Sequence, residues 1–189
     1  MCRTTLEFVD RLRNEGYDVW TISLWEKWLG KTPDLDSAIA QIEHAFNDTR
    51  LGDGIGLREA NAIDDYASDI ERQIQRRFDE KQNWRNITSK TLNEYYVAPT
   101  FLDAKGFHFH LPAFLIADLN GEFHFGFTDR LIEKQPLSTK WIDLLDNAQA
   151  NALIYTMSLL KHYPEYHDKL DAIDCAIARL RDHQSEIAG

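Results

Sequence analysis

Cysteine is almost absent from this chain of 189 residues. Cys2 and Cys175 are the two in the sequence, they lie near opposite ends, and neither belongs to a C-x-x-C pair. This arrangement excludes a disulfide framework and a thiolate-ligated metal site of the usual spacing. Such sparse cysteine is typical of proteins that work in a reducing compartment, so we expect a cytoplasmic location.

Long apolar runs are missing as well. The longest, Leu111–Ala117, is far too short to cross a bilayer, since a transmembrane helix needs about 20 apolar residues. Residues 1–10 include Glu7 and Asp10 and contain no apolar run of the kind found in secretory signals. The sequence therefore predicts no membrane partner.

Positive charge is in short supply. The chain has 21 Lys and Arg against 31 Asp and Glu, which gives a formal net charge of -10. This charge repels phosphate backbones unless a local basic patch overrides it. The best candidate patch, Arg72, Arg76 and Arg77, is interleaved with acidic side chains, so ion pairs within a helix explain it. We therefore expect no nucleic-acid partner.

Leucine, isoleucine, alanine and phenylalanine are plentiful, whereas valine is scarce. The hydrophobic fraction of 43% is enough to build a core, and a chain of this length fits one domain. Scarce valine with abundant leucine and alanine favours helices over strands. We therefore predict that residues 1–189 form a single, mainly α-helical domain of six to eight helices.

Periodic apolar residues locate the main helices. From Leu57 to about Lys81 they recur every three or four positions, which predicts one helix or two abutting helices. Residues 148–163 are apolar on more than one side, so we expect a central helix packed by others.

Residues 107–127 allow two interpretations. The segments 107–111 and 123–127 alternate apolar and polar residues on either side of Asn120-Gly121, which is the pattern of a β-hairpin. The apolar run between these segments suits a buried helix instead. Periodicity alone does not decide such short runs, so the prediction is a helical domain with at most one short hairpin here.

Three glycines alternate in Gly52-Asp53-Gly54-Ile55-Gly56, directly before a helical pattern. This density predicts unusual backbone angles, and if Gly54 or Gly56 has positive φ, its replacement by alanine should be destabilising. A loop that precedes a helix can also cradle an anion. The segment has neither the Lys-Ser or Lys-Thr of a phosphate loop nor the preceding strand of a dinucleotide fold. A structural turn is therefore favoured, and an anion site is the alternative.

This loop and the following helix together read G-x-G-I-x-L-x-E-A-x-x-I-D-x-Y, from Gly52 to Tyr66. The signature resembles that of an uncharacterised family of small bacterial domains, and the resemblance extends over residues of about 38–162. Further segments that resemble this family are Trp84-Arg85-Asn86-Ile87, Tyr95-Tyr96, Phe101-Leu102-Asp103, Gly106-Phe107 and Leu111-Pro112-Ala113-Phe114. The resemblance implies a family-like core at 36–163, with a helical extension at 1–35 and a C-terminal helix at 164–189. It implies no activity and no catalytic residues.

Two groups of side chains could carry chemistry. Asp64 and Asp65 are adjacent carboxylates, which can hold a hard cation or transfer protons. His108, His110 and His124 would form a zinc-binding group if the hairpin exists. A metal-dependent hydrolase, or another enzyme that uses these residues, is therefore the alternative function. Capping, surface and core roles explain the same residues, and we expect no bound metal and no cofactor.

No set of residues supplies a nucleophile, a base and oxyanion donors together. The acidic charge and the abundant tryptophan and tyrosine favour a non-catalytic protein-binding domain instead. Its most specific form is a cytoplasmic immunity or antitoxin-like protein that neutralises a basic partner, because opposite charge accelerates association. The predicted contact residues are Trp25, Trp28, Asp64 and Asp65. No oligomeric state is predicted.

Overall fold

Capping side chains mark where most helices begin. In the computed structural model, which describes residues 3–132 and 140–188, Ser68 and Asp146 form complete capping boxes with Glu71 and Gln149. Simpler caps, in which a side chain accepts a hydrogen bond from a first-turn N–H, are formed by Thr5, Asp18, Thr88 and Asp103. These bonds satisfy N–H groups that have no partner inside a helix. Local sequence therefore fixes these boundaries.

Ten α-helices occur in the described residues, and these residues include no strand. The helices are α1 (Leu6–Asn14), α2 (Val19–Leu29), α3 (Thr32–Ala45), α4 (Leu57–Asp64), α5 (Asp69–Arg76), α6 (Ser89–Glu94), α7 (Ala104–Leu119), α8 (Phe127–Ile132), α9 (Asn147–Leu160) and α10 (Leu170–Ala188). Short 3-10 turns occupy Trp84–Asn86, Ala98–Thr100, Ile142–Leu144 and Pro164–Tyr166. Eight of the ten α-helices have seven residues or more. The predicted mainly α-helical class is confirmed.

Helices α7 and α9 form the centre of the core. Almost every side chain from Phe109 to Leu119 in α7 is buried, and α9 buries residues on several sides. Helix α7 packs against α3, α6 and α8, while α9 packs against α3 and α10. A helix that is apolar all round is one that others surround. The central helix predicted at 148–163 is therefore confirmed.

The hairpin interpretation of residues 107–127 is wrong, because α7 runs through most of this segment. Asn120 caps the helix and Gly121 has φ +76°. The N–H of Gly121 donates to the carbonyl of Asp118 (3.0 Å), and the N–H of Glu122 donates to that of Ala117 (2.8 Å). This pair of bonds is a Schellman helix end, in which glycine takes the left-handed position. The Asn-Gly pair therefore ends a helix instead of turning a hairpin.

The segment predicted as one or two helices from Leu57 to Lys81 forms two, α4 and α5. The break lies at Tyr66, which has φ +55°, and the capping box of Ser68 restarts the helix. The second half of this periodic apolar pattern is not buried. Ile70 and Phe78 are mostly exposed, and α5 has no buried residue.

Within the described ranges, every helix is either too short or too polar to cross a membrane.

Candidate functional site

The glycine loop at residues 51–56 lies directly on the N-terminus of α7. Gly52 has φ +60°, whereas neither Gly54 nor Gly56 has positive φ, so positive φ does not explain these two glycines. Close approach explains Gly54 instead. A Cβ atom there would lie 2.8 Å from the backbone nitrogen of Gly106, and a Cβ on Gly106 would lie 2.2 Å from the carbonyl oxygen of Ile55. Two backbones meet here because both contact residues lack side chains.

Polar contacts hold the loop in this position. The carboxylate of Asp103 accepts hydrogen bonds from the N–H of Ile55 (3.0 Å) and of Gly106 (2.7 Å). Lys105 pairs with the Asp53 carboxylate at 2.6 Å, and this hydrogen bond lowers the pKa of Asp53. The N–H of Gly54 donates to the carbonyl of Leu51 at 3.0 Å. These N–H groups are already used, so a structural turn explains the loop without a bound anion.

Asp79 caps the N-terminus of α4 from a distant point in the sequence. Its carboxylate accepts hydrogen bonds from the N–H of Arg58 (2.8 Å) and of Glu59 (3.3 Å). Gly56 makes room for it, since a Cβ there would lie 2.1 Å from the Asp79 Cγ. Burial raises the pKa of Asp79 by more than these hydrogen bonds lower it.

Glu59 holds α5 against α4. It is the buried carboxylate of α4, and its oxygens lie 3.7 Å from Arg72 and 3.2 Å from Arg76, both on α5. Arg76 also donates a hydrogen bond to the carbonyl of Asp53 in the glycine loop. Helix α5 therefore docks on the protein through its charged face, and its apolar face is turned to solvent.

We expect Glu59→Gln to lower the free energy of unfolding by about 2 kcal/mol. Breaking a buried ion pair typically costs about 3 to 5 kcal/mol, but here water partly compensates, because the two arginine side chains remain about one-third exposed. Urea unfolding followed by circular dichroism measures the change. Asp69→Asn removes an exposed partner of Arg72 and should change stability little. Equal losses in the two variants would contradict the structural role of Glu59.

The apolar face of α5 forms a stripe that we call the α5 stripe, made of Tyr66, Ile70, Ile74 and Phe78. Ile70 and Ile74 are four residues apart within α5, whereas Tyr66 lies before the helix and Phe78 lies just after it. They are 96%, 73%, 44% and 68% exposed, respectively. Scattered apolar side chains on a surface need no explanation, but a contiguous exposed row marks an interaction surface.

A cavity of about 160 Å³ lies between the N-terminus of α4, the segment 78–80 and α7. It is partly open to solvent and is lined by Leu57, Arg58, Phe78, Asp79, Glu80, Asn86, Ile87, Thr91, Tyr95 and His110. His110 is buried, and its Nδ1–H donates to the Gly106 carbonyl at 2.7 Å. Burial lowers the pKa of His110 to about 4. The imidazole is therefore neutral near pH 7, with an unprotonated Nε2 that can accept a hydrogen bond.

The structure separates the three histidines that would have formed a zinc site. His108 bonds to the Gln149 side chain at 2.9 Å, whereas His110 bonds to the Gly106 carbonyl. His124 is exposed beyond the end of α7. Across residues 3–132 and 140–188, no three His, Cys, Asp or Glu side chains are grouped as metal ligands. The hypothesis that these histidines act together is wrong, because it depended on the hairpin.

The structure packs the two predicted tryptophan contacts against other aromatic side chains, and it places the two predicted aspartate contacts at the end of α4. Trp28 is buried and packs edge-on against Tyr163, with ring centroids 5.1 Å apart, so it belongs to the core and is not an exposed anchor. Trp25 is partly buried between Phe8 and Tyr163. Asp64 and Asp65 lie at the end of α4, beside Tyr66, and Asp65 is exposed.

Sequence reasoning missed the α5 stripe as a surface and the cavity altogether. The four-residue spacing of the stripe was visible, but spacing does not tell which neighbour covers a helix face. The cavity residues come from four separate segments, and no local motif joins them.

The model of a family of unknown function, DUF6714, matches residues 34–172 of the chain. The match covers well over half of the sequence, so the chain belongs to this family, and the resemblance noted from the sequence is confirmed. Comparison with curated proteins and with solved structures gives no match.

Proposed function

We propose that this member of the DUF6714 family is a non-catalytic protein-binding domain that docks a basic partner on the α5 stripe. In its most specific form it is a cytoplasmic immunity or antitoxin-like protein that neutralises this partner. The observation that supports the proposal is the orientation of α5, whose charged face is docked on Glu59 while its apolar face is exposed.

Burial of the α5 stripe can supply substantial binding energy. Fully burying a large apolar side chain contributes about 1.5 to 3 kcal/mol, and the stripe offers four such side chains. Rows of apolar residues at helical spacing recur where one helix lies in an apolar groove of a partner. Tyr66 adds an aromatic side chain of the kind that is enriched at binding hot spots.

The surrounding charge indicates what the partner surface is like. Asp64 and Asp65 precede Tyr66, while Asp69 and Glu71 flank Ile70. An apolar groove with a basic rim complements this arrangement, and opposite charges accelerate association. In a dimer formed through this face, the acidic side chains of one copy would lie against those of the other, and each copy carries a net charge of -10. This repulsion opposes self-association through this face.

We expect Ile74→Glu to weaken binding of the natural partner at least tenfold without loss of stability. Position 74 is partly exposed in the middle of the stripe, so a carboxylate there is tolerated by the fold but disrupts an apolar interface. Affinity capture from the native cell, at low and high salt, identifies proteins retained by the unmodified chain. Calorimetry with the purified partner then measures affinity, and thermal melts measure stability.

Val19→Glu is the matched control, because Val19 is an equally apolar, 83% exposed residue at the start of α2. A basic protein retained by the unmodified chain and by Val19→Glu, but lost with Ile74→Glu and released by salt, supports the proposal. Identical captured proteins for all three chains would contradict it. A dimer in solution that Ile74→Glu converts to a monomer would assign the stripe to self-association instead.

A further inference from the structure

The cavity lined by His110 combines hydrogen-bond acceptors, two carboxylates and apolar walls. We propose that it binds an alkylammonium or alkylguanidinium group, the chemistry of a lysine or arginine side chain. The inference goes beyond the α5 stripe and is testable without a partner protein. The volume of about 160 Å³ suits such a group, since a cavity on the order of 150 Å³ holds a benzene-sized molecule.

The acceptors are the first reason for a cationic occupant. Among the described residues, neither Asp79 nor Glu80 forms an ion pair with a basic side chain. The hydrogen bonds that Asp79 accepts come from two backbone N–H groups, and a carboxylate offers about four acceptor positions. Its charge is partly buried, and the nearby cations Arg58 and Lys81 favour this charge without forming an ion pair with it.

The imidazole of His110 is the second reason. Its Nδ1–H is used by the Gly106 carbonyl, so the neutral ring presents Nε2 as an acceptor. In the described part of the chain nothing donates to this atom, although the residue is 1% exposed and lines the cavity. An acceptor that has no donor from the protein and lies at a cavity wall favours a ligand that carries N–H donors. Ammonium and guanidinium groups carry several such donors.

The walls fit the remainder of such a group. Leu57, Phe78 and Ile87 offer apolar surface, on which the methylene stem of a lysine-like group packs while its charged head reaches polar partners. The Tyr95 ring lies at the same site, and the face of an aromatic ring attracts cations.

Arg58 makes the proposal sharply testable. Its guanidinium already lies over the Tyr95 ring, 5.5 Å from the centroid. It therefore competes with a cationic ligand for the ring and repels it by like charge. Arg58→Gln should strengthen binding of a cation about threefold, and it leaves the backbone N–H bond to Asp79 in place. An anionic ligand would show the opposite response, because Arg58 would be its main partner.

The experiment titrates the full chain with butylammonium and butylguanidinium while the ¹³C-labelled His and Tyr rings are observed by NMR. We expect saturable shifts of the His110 and Tyr95 signals, with a dissociation constant on the order of 1 to 10 mM for so small a probe. Butanol shares the stem without the charge, and butyrate reverses the charge. Neither should produce saturable shifts. Acetyl-Gly-Lys-Gly-amide tests whether the group can be presented by a peptide, which separates a partner side chain from a free amine.

Asp79→Asn should weaken butylammonium binding at least tenfold, whereas Asp65→Asn, which removes an exposed carboxylate outside the cavity lining, should leave it unchanged. Glu80→Gln provides a second test. Asp79 also caps α4, and Glu80 accepts hydrogen bonds from the N–H groups of Gln82 and Asn83, so thermal melts check that Asp79→Asn and Glu80→Gln remain folded. Absence of saturable shifts with both cations, equal binding of butanol, or weaker binding by Arg58→Gln would each overturn the proposal. Because no partner is involved, these outcomes are independent of the test of the α5 stripe.

Discussion

Gly106→Ala is expected to lower the free energy of unfolding by about 3 kcal/mol, a typical upper value for inserting an atom into a packed site. The added methyl group would lie 2.2 Å from the carbonyl oxygen of Ile55, which is backbone and cannot rotate away. The gain in helix propensity from glycine to alanine, about 1 kcal/mol, is too small to offset this clash. Urea unfolding measures the loss, and the melting temperature should fall by about 10 °C.

Gly54→Ala should also destabilise, by about 2 kcal/mol, since its Cβ would meet the Gly106 nitrogen and the Lys105 Cβ at 2.8 Å. Both substitutions push apart the same two backbones, so the double variant should lose less than the sum of the two. Gly30→Ala is the control, because Gly30 has φ -63° and a Cβ there would meet nothing closer than 3.4 Å. If Gly106→Ala were as mild as this control, the loop could not lie on α7.

Stability should fall as pH decreases from about 6.5 to about 4, and His110 should account for a large part of the loss. Burial lowers the pKa of His110 from 6.5 to about 4. In this range His110 is protonated in the unfolded chain but not in the folded protein, so acidification favours unfolding. The contribution of His110 to the free energy of unfolding is fully present above pH 6.5. A difference of this size amounts to about 3 kcal/mol.

Other groups also act in or near the same range. Burial also lowers the pKa of His108, which therefore adds to the loss on acidification. The raised pKa of Asp79 acts in the opposite direction, because the folded state binds that proton more readily. The difference in pH dependence of stability between variants is therefore more informative than the pH dependence of the unmodified protein alone.

His110→Gln is the decisive variant, and urea unfolding between pH 4 and pH 7.5 is the measurement. Its stability should depend less steeply on pH than that of the unmodified chain, whatever its absolute stability. His108→Gln should retain the steeper dependence that His110 causes. Equal pH dependence in the unmodified chain and His110→Gln would show that His110 takes up its proton in the folded state near its ordinary pKa.

Much of the helical architecture could be predicted from short stretches of sequence. The apolar pattern at residues 148–163 led to the central helix α9, because a helix that is apolar on several sides has to be surrounded. The Asn120-Gly121 pair shows the limit of such reasoning. Both a hairpin turn and a helix end need glycine with positive φ, and the buried run before it decided in favour of the helix.

The candidate site was harder to predict from the sequence. Gly54 and Gly106 are 52 positions apart, yet a Cβ on Gly54 would meet the Gly106 nitrogen and a Cβ on Gly106 would meet the carbonyl oxygen of Ile55. Asp79 caps α4 from 21 positions beyond Arg58. A pattern within one window cannot contain such pairs. No single window shows that the predicted contact residue Trp28 is buried, since its neighbour Tyr163 comes from a distant segment.

The sequence by itself determined the helical class and most helix starts, because capping and apolar periodicity act over three or four residues. It also determined the acidic charge, which is a sum over residues. Only the tertiary structure decided which apolar faces are covered. Helices α5 and α9 both carry apolar rows, yet α9 is enclosed by α3 and α10 whereas Glu59 turns the apolar row of α5 to solvent. Burial depends on which neighbours surround a helix, and residues distant in the sequence supply those neighbours.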